Sequence, residues 1–137
     1  MECIFCKIIG REIQAEIVFE NKEVISFLDI RPVNKGHCLI VPKKHFEHFL
    51  ELDEKTLSSL VKTCQKVAKA MVQALNAGGF NLILNSDKVA GGEIAHPHFH
   101  LIPRFQGDGV KNLPHKNYEE GEIKEFAKKI RSFVKRR

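Results

Sequence analysis

Hydrophobic and polar residues alternate in the first third of the chain in a way that predicts short strands. Two apolar runs, at residues 16–19 and 24–28, are separated by the polar residues 20–23 and therefore predict a hairpin. A stretch rich in turn-forming residues follows, and residues 37–41 predict a third strand. The pattern indicates that the chain begins its sheet with consecutive antiparallel strands.

The middle of the chain changes to helical periodicity. Asp53 is a good N-cap residue, and Asn76 with the following glycines provides a stop signal. The apolar residues between them recur at steps of three and four: Leu57, Leu60, Val61, Cys64, Val67, Ala68, Met71, Val72 and Leu75. At 1.5 Å per residue, this predicts an amphipathic helix about 35 Å long, enough to cross a sheet.

Two more strands and a second helix are predicted in the remainder. Residues 80–85 and 96–102 alternate as strands on either side of a glycine-containing loop at 86–94, and residues 119–134 have helical periodicity. We therefore predict an α+β fold: a mostly antiparallel five-stranded sheet with one long helix and one C-terminal helix. The length of 137 residues and the absence of a linker predict a single domain over 1–137.

Composition excludes several classes of protein. Hydrophobic residues make up 43% and charged residues 28%, which is typical of globular domains rather than disordered chains. Apolar runs are too short for a membrane helix, and the first residues lack the layout of a signal peptide. We therefore expect a cytoplasmic protein with reduced cysteines and no membrane partner.

The net charge of +5 comes largely from the C-terminus. Six basic residues lie in the last ten positions: Lys128, Lys129, Arg131, Lys135, Arg136 and Arg137. A solvated helix face and a nucleic-acid footprint both explain such a cluster. Four glutamates on the same segment and the absence of a nucleic-acid module favour the helix face. We expect no nucleic-acid partner, while an anionic small ligand stays open.

Three histidines alternate with other residues in the predicted fifth strand. His96, His98 and His100 would share one face, with Phe99 and Leu101 on the other. A core has no need for three such imidazoles, whereas histidine at neutral pH can act as nucleophile, base or acid. One metal ion held by all three fits poorly, because the outer two lie too far apart on a flat strand. One nucleophile with orienting neighbours is the better interpretation.

Cys3 and Cys6 form a CxxC pair near the N-terminus. The pair is half of a zinc site, but two buried thiols or a redox pair would have the same spacing. No βαβ pattern follows, which argues against the redox interpretation. Cys38 and Cys64 fall on apolar faces and are predicted to be core residues.

Several separated blocks give the chain a family resemblance. They are residues 3–9 (CIFCKII), 27–30 (FLDI), 36–37 (GH), 41–45 (VPKKH) and the histidine segment 96–104. The chain resembles the histidine triad (HIT) family, and most of all its bacterial and archaeal members related to the Hint branch.

Three departures from that family are Pro97, Ala95 and Glu93. Pro97 requires a strand edge or a gap in strand pairing, and Glu93 is expected to point outward.

The resemblance implies a nucleotide-binding hydrolase that cleaves nucleoside monophosphate conjugates at the α-phosphate. In this phosphoramidase-type reaction His98 would attack phosphorus and form a nucleotidyl-histidine intermediate. His100 would bind the phosphate and help protonate the leaving group, and His37 would be a further active-site histidine. A dinucleoside polyphosphate hydrolase is a close alternative. A nucleotide-sensing module with weak turnover is an alternative of another class.

Further nucleotide contacts follow from the same resemblance. Asn85 would contact phosphate beside His98 and His100, Gly91 would orient the nucleophile through its carbonyl, and backbone N–H groups around Glu93 would complete the cradle. Taken alone, Asn85, Asp29 and the Gly91-Gly92 pair are equally explained as turn residues.

The remaining expectations concern the nucleoside, the metal and assembly. Asp29 would bind the ribose hydroxyls, and Phe27 and Ile30 would pack on a purine base. Relatives with this CxxC imply that His45 and His96 complete a Cys₂His₂ zinc site with Cys3 and Cys6, which would be structural. The resemblance also implies a homodimer and a purine nucleoside monophosphate or its conjugate as ligand.

Overall fold

The computed structural model describes residues 3–134, and its elements follow the predicted order. The strands are β1 (Ile17–Glu20), β2 (Val24–Leu28), β3 (Cys38–Pro42), β4 (Gly79–Leu84) and β5 (Phe99–Arg104). The helices are α1 (Ile4–Ile9), α2 (Glu54–Leu75) and α3 (Glu122–Phe133), with short 3₁₀ turns at Phe49–Glu51 and Lys88–Ala90. All neighbouring strands are antiparallel in the order β1-β2-β3-β5-β4. The predicted α+β class is confirmed.

Helix α2 crosses one face of the sheet and covers the larger core. The Asp53 side chain accepts the Thr56 N–H at the start of the helix, and Asn76 ends it in the left-handed conformation, as predicted. The predicted apolar stripe is wrong at Val61 and Leu75, which are 56% and 40% exposed, while Thr63 is buried. The Thr63 hydroxyl donates to the Ser59 carbonyl at 2.7 Å, so it can be buried without an unsatisfied polar group.

Helix α1 packs on the opposite face of the sheet. Phe5 and Ile8 project from it into a second core cluster that contains Ile25, Phe27 and Leu39. A helix of only six residues has little stability alone, so its position depends on these tertiary contacts. They bring the CxxC segment to the same face as the histidines.

The start of the fifth strand differs from the prediction. It begins at Phe99 rather than at residue 96, so His96 and His98 precede the strand and only His100 lies on it. Pro97 has no N–H to donate, and the pairing with both neighbouring strands stops at Phe99. The gap in pairing expected at Pro97 is therefore present.

Helix α3 contributes no buried residue to the part of the chain that is described. Its large apolar side chains are exposed: Ile123, Phe126, Ile130 and Phe133. Of the basic cluster expected here, residues 135–137 lie outside the described residues. Among the described helices, none has the combined length and hydropathy that crossing a bilayer would require.

Candidate active site and metal centre

The four predicted metal ligands converge beside α1. Cys3 caps the helix and Cys6 lies within it, while His45 follows β3 and His96 precedes β5. Their ligand atoms all lie within 4.8 Å of one another. The Cys3 Sγ–His96 Nδ1 distance is 3.4 Å, the Cys6 Sγ–His45 Nδ1 distance is 3.3 Å, and the two Nδ1 atoms are 3.1 Å apart.

These distances fit a tetrahedral cation site. Zinc bonds of about 2.0–2.3 Å place the ligand atoms of a tetrahedron about 3.3–3.8 Å apart, close to the separations found here. His96 Nε2 is 2.8 Å from the Pro42 carbonyl and donates to it, which leaves Nδ1 with a free lone pair. Without a cation, burial and the neighbouring Cys3 raise the pKa of Cys6 to about 11. The donor set is thus suited to a metal.

His98 is buried next to this cluster, with one ring nitrogen already engaged. Its Nδ1 lies 2.8 Å from the His96 carbonyl and must donate to it, so the neutral ring carries its lone pair on Nε2. Burial lowers the pKa of His98, which favours this neutral, nucleophilic form at pH 7. The acceptor expected from the resemblance was the Gly91 carbonyl. In the structure the acceptor is the carbonyl of His96, two residues before His98.

His37 and His100 form a pair with fixed tautomers. The Val33 N–H donates to His37 Nδ1 at 3.1 Å, so the proton of neutral His37 sits on Nε2. His37 Nε2 is 3.0 Å from His100 Nδ1 and donates to it. The proton of His100 is therefore on Nε2, where it is available as a donor.

The electrostatics of this pair favour neutral rings. Burial, together with His98 and His37, lowers the pKa of His100 to about 4. Burial also lowers the pKa of His37, and Asp29 opposes that shift with Oδ2 3.7 Å from His37 Nε2. At pH 7 the pair therefore carries no positive charge. The Val33 N–H, by donating to His37, fixes His37 as the donor and His100 as the acceptor of the bond between them.

The predicted phosphate loop closes tightly beside His98. Gly92 N–H donates to the Asp87 carbonyl at 2.9 Å, and a Cβ on Gly92 would lie 2.5 Å from the Asn85 carbonyl oxygen. Gly91 has a φ of +90°, and Glu93 is exposed. The outward orientation expected for Glu93 stays a prediction, because this residue also lines the cleft beside His98. One cleft is lined by residues from this loop and from the histidine segment, among them Asn85, Gly92, Glu93, His96 and His98.

The three residues predicted to bind the nucleoside, Asp29, Phe27 and Ile30, differ in their contacts and in their exposure to solvent. Asp29 Oδ1 accepts the Arg31 N–H at 2.8 Å, as a turn residue would, while Oδ2 faces His37. Phe27 is only 3% exposed and packs edge-on against Phe5, whereas Ile30 is 91% exposed. The ribose and base contacts therefore stay predictions.

Sequence reasoning missed two features of this site. The Phe5 ring lies edge-on to His98, with centroids 4.8 Å apart, and also contacts His96. Its position between the two cysteines was the available signal. The second feature is a hydrogen-bonded cluster around Asp108 and Asn34 at the far end of β5, for which the four-residue Arg104–Asp108 spacing was the only hint.

Comparisons with known proteins agree with this geometry. An uncharacterized HIT-like protein of Methanocaldococcus jannaschii is 46% identical, covering 88% of this chain and 95% of its own. An adenosine 5'-monophosphoramidase of Schizosaccharomyces pombe is 33% identical over 98% of this chain and all of its own.

Solved structures give the same result. The crystal structure of a HIT family member from Bacillus subtilis has a TM-score of 0.92 at 31% identity, with both chains fully covered. A zinc-bound histidine triad protein from Mycobacterium smegmatis has a TM-score of 0.77 at 30% identity over 85% of each chain. Residues 10–107 match the HIT domain, and the chain therefore belongs to the HIT domain family.

Proposed function

We propose that this protein hydrolyses purine nucleoside monophosphate conjugates, of the phosphoramidate type, at the α-phosphate. The observation that carries the proposal is the buried His98, whose Nδ1–H is held by the His96 carbonyl so that the lone pair on Nε2 is free beside the cleft. The phosphoramidase relative from S. pombe supports this substrate class.

In the proposed reaction, His98 Nε2 bonds to phosphorus as the bond from phosphorus to the leaving amine breaks. The bridging nitrogen is protonated from solvent before the P–N bond breaks, so it leaves as a neutral amine. The positive charge on the nucleotidyl-histidine is stabilised by the His96 carbonyl. His100 Nε2–H donates a hydrogen bond to a phosphate oxygen, and this bond strengthens as negative charge develops on that oxygen. Water then attacks phosphorus, the bond to Nε2 breaks, and the nucleoside monophosphate is released.

The test is rapid-quench labelling with α-³²P adenosine 5'-phosphoramidate. We expect wild-type protein quenched in alkali or in SDS to carry label that alkali preserves and mild acid releases, as a phosphohistidine bond does. His98→Asn should abolish both labelling and turnover, whereas His115→Asn, at an exposed position outside the cleft, should retain them. Turnover near the wild-type rate in His98→Asn would exclude this nucleophile, and preferred cleavage of a dinucleoside polyphosphate would exclude the substrate class.

We also propose that Cys3, Cys6, His45 and His96 hold a structural zinc ion. The near-tetrahedral spacing of their ligand atoms supports this assignment, as does the zinc-bound relative from M. smegmatis. A bound zinc would stabilise the deprotonated cysteines and tie α1 to the segments that follow β3 and precede β5.

Elemental analysis of protein prepared without a histidine tag tests the zinc proposal. We expect one zinc per chain in the wild type and none in Cys6→Ser, with a lower melting temperature in the variant. Cys64→Ala is the matched control, because Cys64 is buried in the core under α2, away from the four ligands. This variant should keep one zinc per chain. A wild-type protein that is stable and free of zinc would refute the site.

A homodimer is the third part of the proposal. Its support is the exposed apolar face of α3 and the position of β4 at the edge of the sheet, where Phe80 and Leu82 are 46% and 43% exposed. A helix of 12 residues with such a face is marginal in water without a partner surface.

A further inference from the structure

A buried polar cluster lies at the end of β5, away from the metal ligands. Its centre is Asp108, whose side chain is only 8% exposed and whose oxygens accept five hydrogen bonds. The donors are Arg104 Nε and Nη2, the Asn34 amide, and the backbone N–H groups of Phe105 and Val110. None of these residues belongs to the proposed reaction.

Asn34 is the one member of this cluster that connects it to the histidines. Its Nδ2 donates to Asp108 Oδ2 at 3.0 Å and to the Pro103 carbonyl at 2.8 Å, so both amide protons are engaged. The backbone carbonyl of Asn34 accepts the backbone N–H of His37 at 3.0 Å. Asn34 therefore joins the loop before β3, which carries His37, to the strand that carries His100.

The sheet leaves a gap at this position that Asn34 fills. Pairing between β3 and β5 ends at Cys38 and Leu101, so Pro103 has no partner from β3. The Asn34 amide supplies the hydrogen bond that a longer β3 would have made. A cross-link to a strand carbonyl allows little movement of the loop, since Asp108 holds the same amide from the other side.

The orientation of this loop decides which nitrogen of His37 carries the proton. Val33, next to Asn34, donates the N–H that accounts for the lone pair on His37 Nδ1. If that N–H turned away, His37 could carry its proton on Nδ1 and accept at Nε2. His100 would then have to donate from Nδ1, and its Nε2 would no longer be a donor.

We propose that Asn34, held by Asp108, is a positioning residue that fixes the tautomers of His37 and His100. The catalytic consequence rests on the proposed function: with Asn34 in place, His100 presents Nε2–H to the substrate phosphate. The tautomers themselves are a property of the folded protein and can be measured without substrate.

The experiment is long-range ¹H–¹⁵N spectroscopy of histidine-labelled protein, which distinguishes protonated from unprotonated ring nitrogens. In the wild type we expect His37 and His100 each to be a single Nε2–H tautomer. In Asn34→Ala we expect mixed tautomers for both rings, with kcat reduced at least about tenfold and KM changed less than about threefold. A loss of packing alone would not move a tautomer equilibrium in a folded protein.

Asn81→Ala is the matched control. Asn81 Oδ1 accepts only Arg104 Nη1, at 2.7 Å, so this variant perturbs the cluster without touching Asn34. It should keep wild-type tautomers and kcat. Folded Asn34→Ala with unchanged tautomers would overturn the proposal, and so would a wild-type His37 protonated on Nδ1, even where Asn34→Ala fails to fold. Tautomers that shift as expected in a protein without hydrolase activity would refute the proposed function and leave the positioning role standing.

Discussion

Neutral, half-buried His100 makes folding stability depend on pH. Its pKa is about 4 in the folded protein and near 6.5 in the unfolded chain. Between these values the unfolded chain binds a proton that the folded protein does not, so the free energy of unfolding falls as the pH drops from about 6.5 to about 4. The groups facing His100 are His98, His37 and Asp29, and only Asp29 opposes the shift.

Urea unfolding at pH 7 and pH 5 measures this dependence. We expect the wild type to lose more stability than His100→Gln over that interval, since glutamine does not titrate. Both proteins keep the four proposed metal ligands, so acid loss of a metal would affect them equally and cancel in the difference. An identical pH dependence in the two proteins would contradict the assignment of His100 as a neutral, half-buried ring.

Asp29 provides a second prediction at this scale. If its carboxylate binds the ribose, each charge-assisted hydrogen bond contributes about 1.5–3 kcal/mol before desolvation. A 2'-deoxyadenosine phosphoramidate should then lose at least about tenfold in kcat/KM on the wild type. In Asp29→Asn this preference for ribose should shrink, while Oδ1 remains to accept the Arg31 N–H. Equal kcat/KM values for ribose and deoxyribose substrates would end this role for Asp29.

The sequence could predict the role of a residue where its spacing or motif indicates that role. It could not do so where the residue acts through contacts with residues far away in the chain. The CxxC pair indicated half of a metal site, and the family resemblance implied His45 and His96 as the other half. These four ligand atoms do converge. By contrast, Val33 acts through its N–H, a group every residue except proline has. Asn34 and Asp108 are 74 positions apart, so no local spacing could show that they meet.

At the scale of elements, the loop after β4 gives a steric prediction. A Cβ on Gly92 would meet backbone atoms of Asn85 and Asp87, which cannot rotate away as a side chain would. We expect Gly92→Ala to lower the free energy of unfolding by about 1–3 kcal/mol and to weaken AMP binding, because Asn85 must move.

Gly79→Ala is the comparison for this loop, since a Cβ there meets nothing within 4 Å. It should change stability and binding little. Chemical denaturation and AMP titration calorimetry of both variants make the test. Wild-type AMP affinity in Gly92→Ala would mean that Asn85 does not contact the nucleotide.

The order of the elements was readable from periodicity, but one strand start was not. Alternation continues through residues 96–102, yet pairing begins only at Phe99. Pro97 lacks a donor, and β4 ends at Leu84 opposite Phe99, while β3 continues to Pro42 without a partner from β5. In α2, Val61 satisfied the helical pattern and lies exposed, while Thr63 is buried through a local hydrogen bond. Periodicity describes side-chain polarity and cannot anticipate which polar groups find partners.

For the whole molecule, the prediction concerns assembly. Light scattering at micromolar concentration should give twice the chain mass of 15.6 kDa. Phe126→Glu combined with Ile130→Glu should give a monomer, because charge is placed on the apolar face of α3. Asn117→Glu with Ser132→Glu adds the same charge at polar positions and should leave the dimer intact. A monomeric wild type would refute the proposed dimer.

The position of α1 has a consequence for how this chain is divided. The region that matches the HIT domain begins at residue 10, after Cys3, Phe5 and Cys6. A protein shortened to the matching region would keep His37, His45 and the alternating histidines of 96–100, yet it would lack half of the proposed metal ligands and the ring against His98. The family match thus marks a core that the fold shares, while the proposed site extends seven residues further toward the N-terminus, to Cys3.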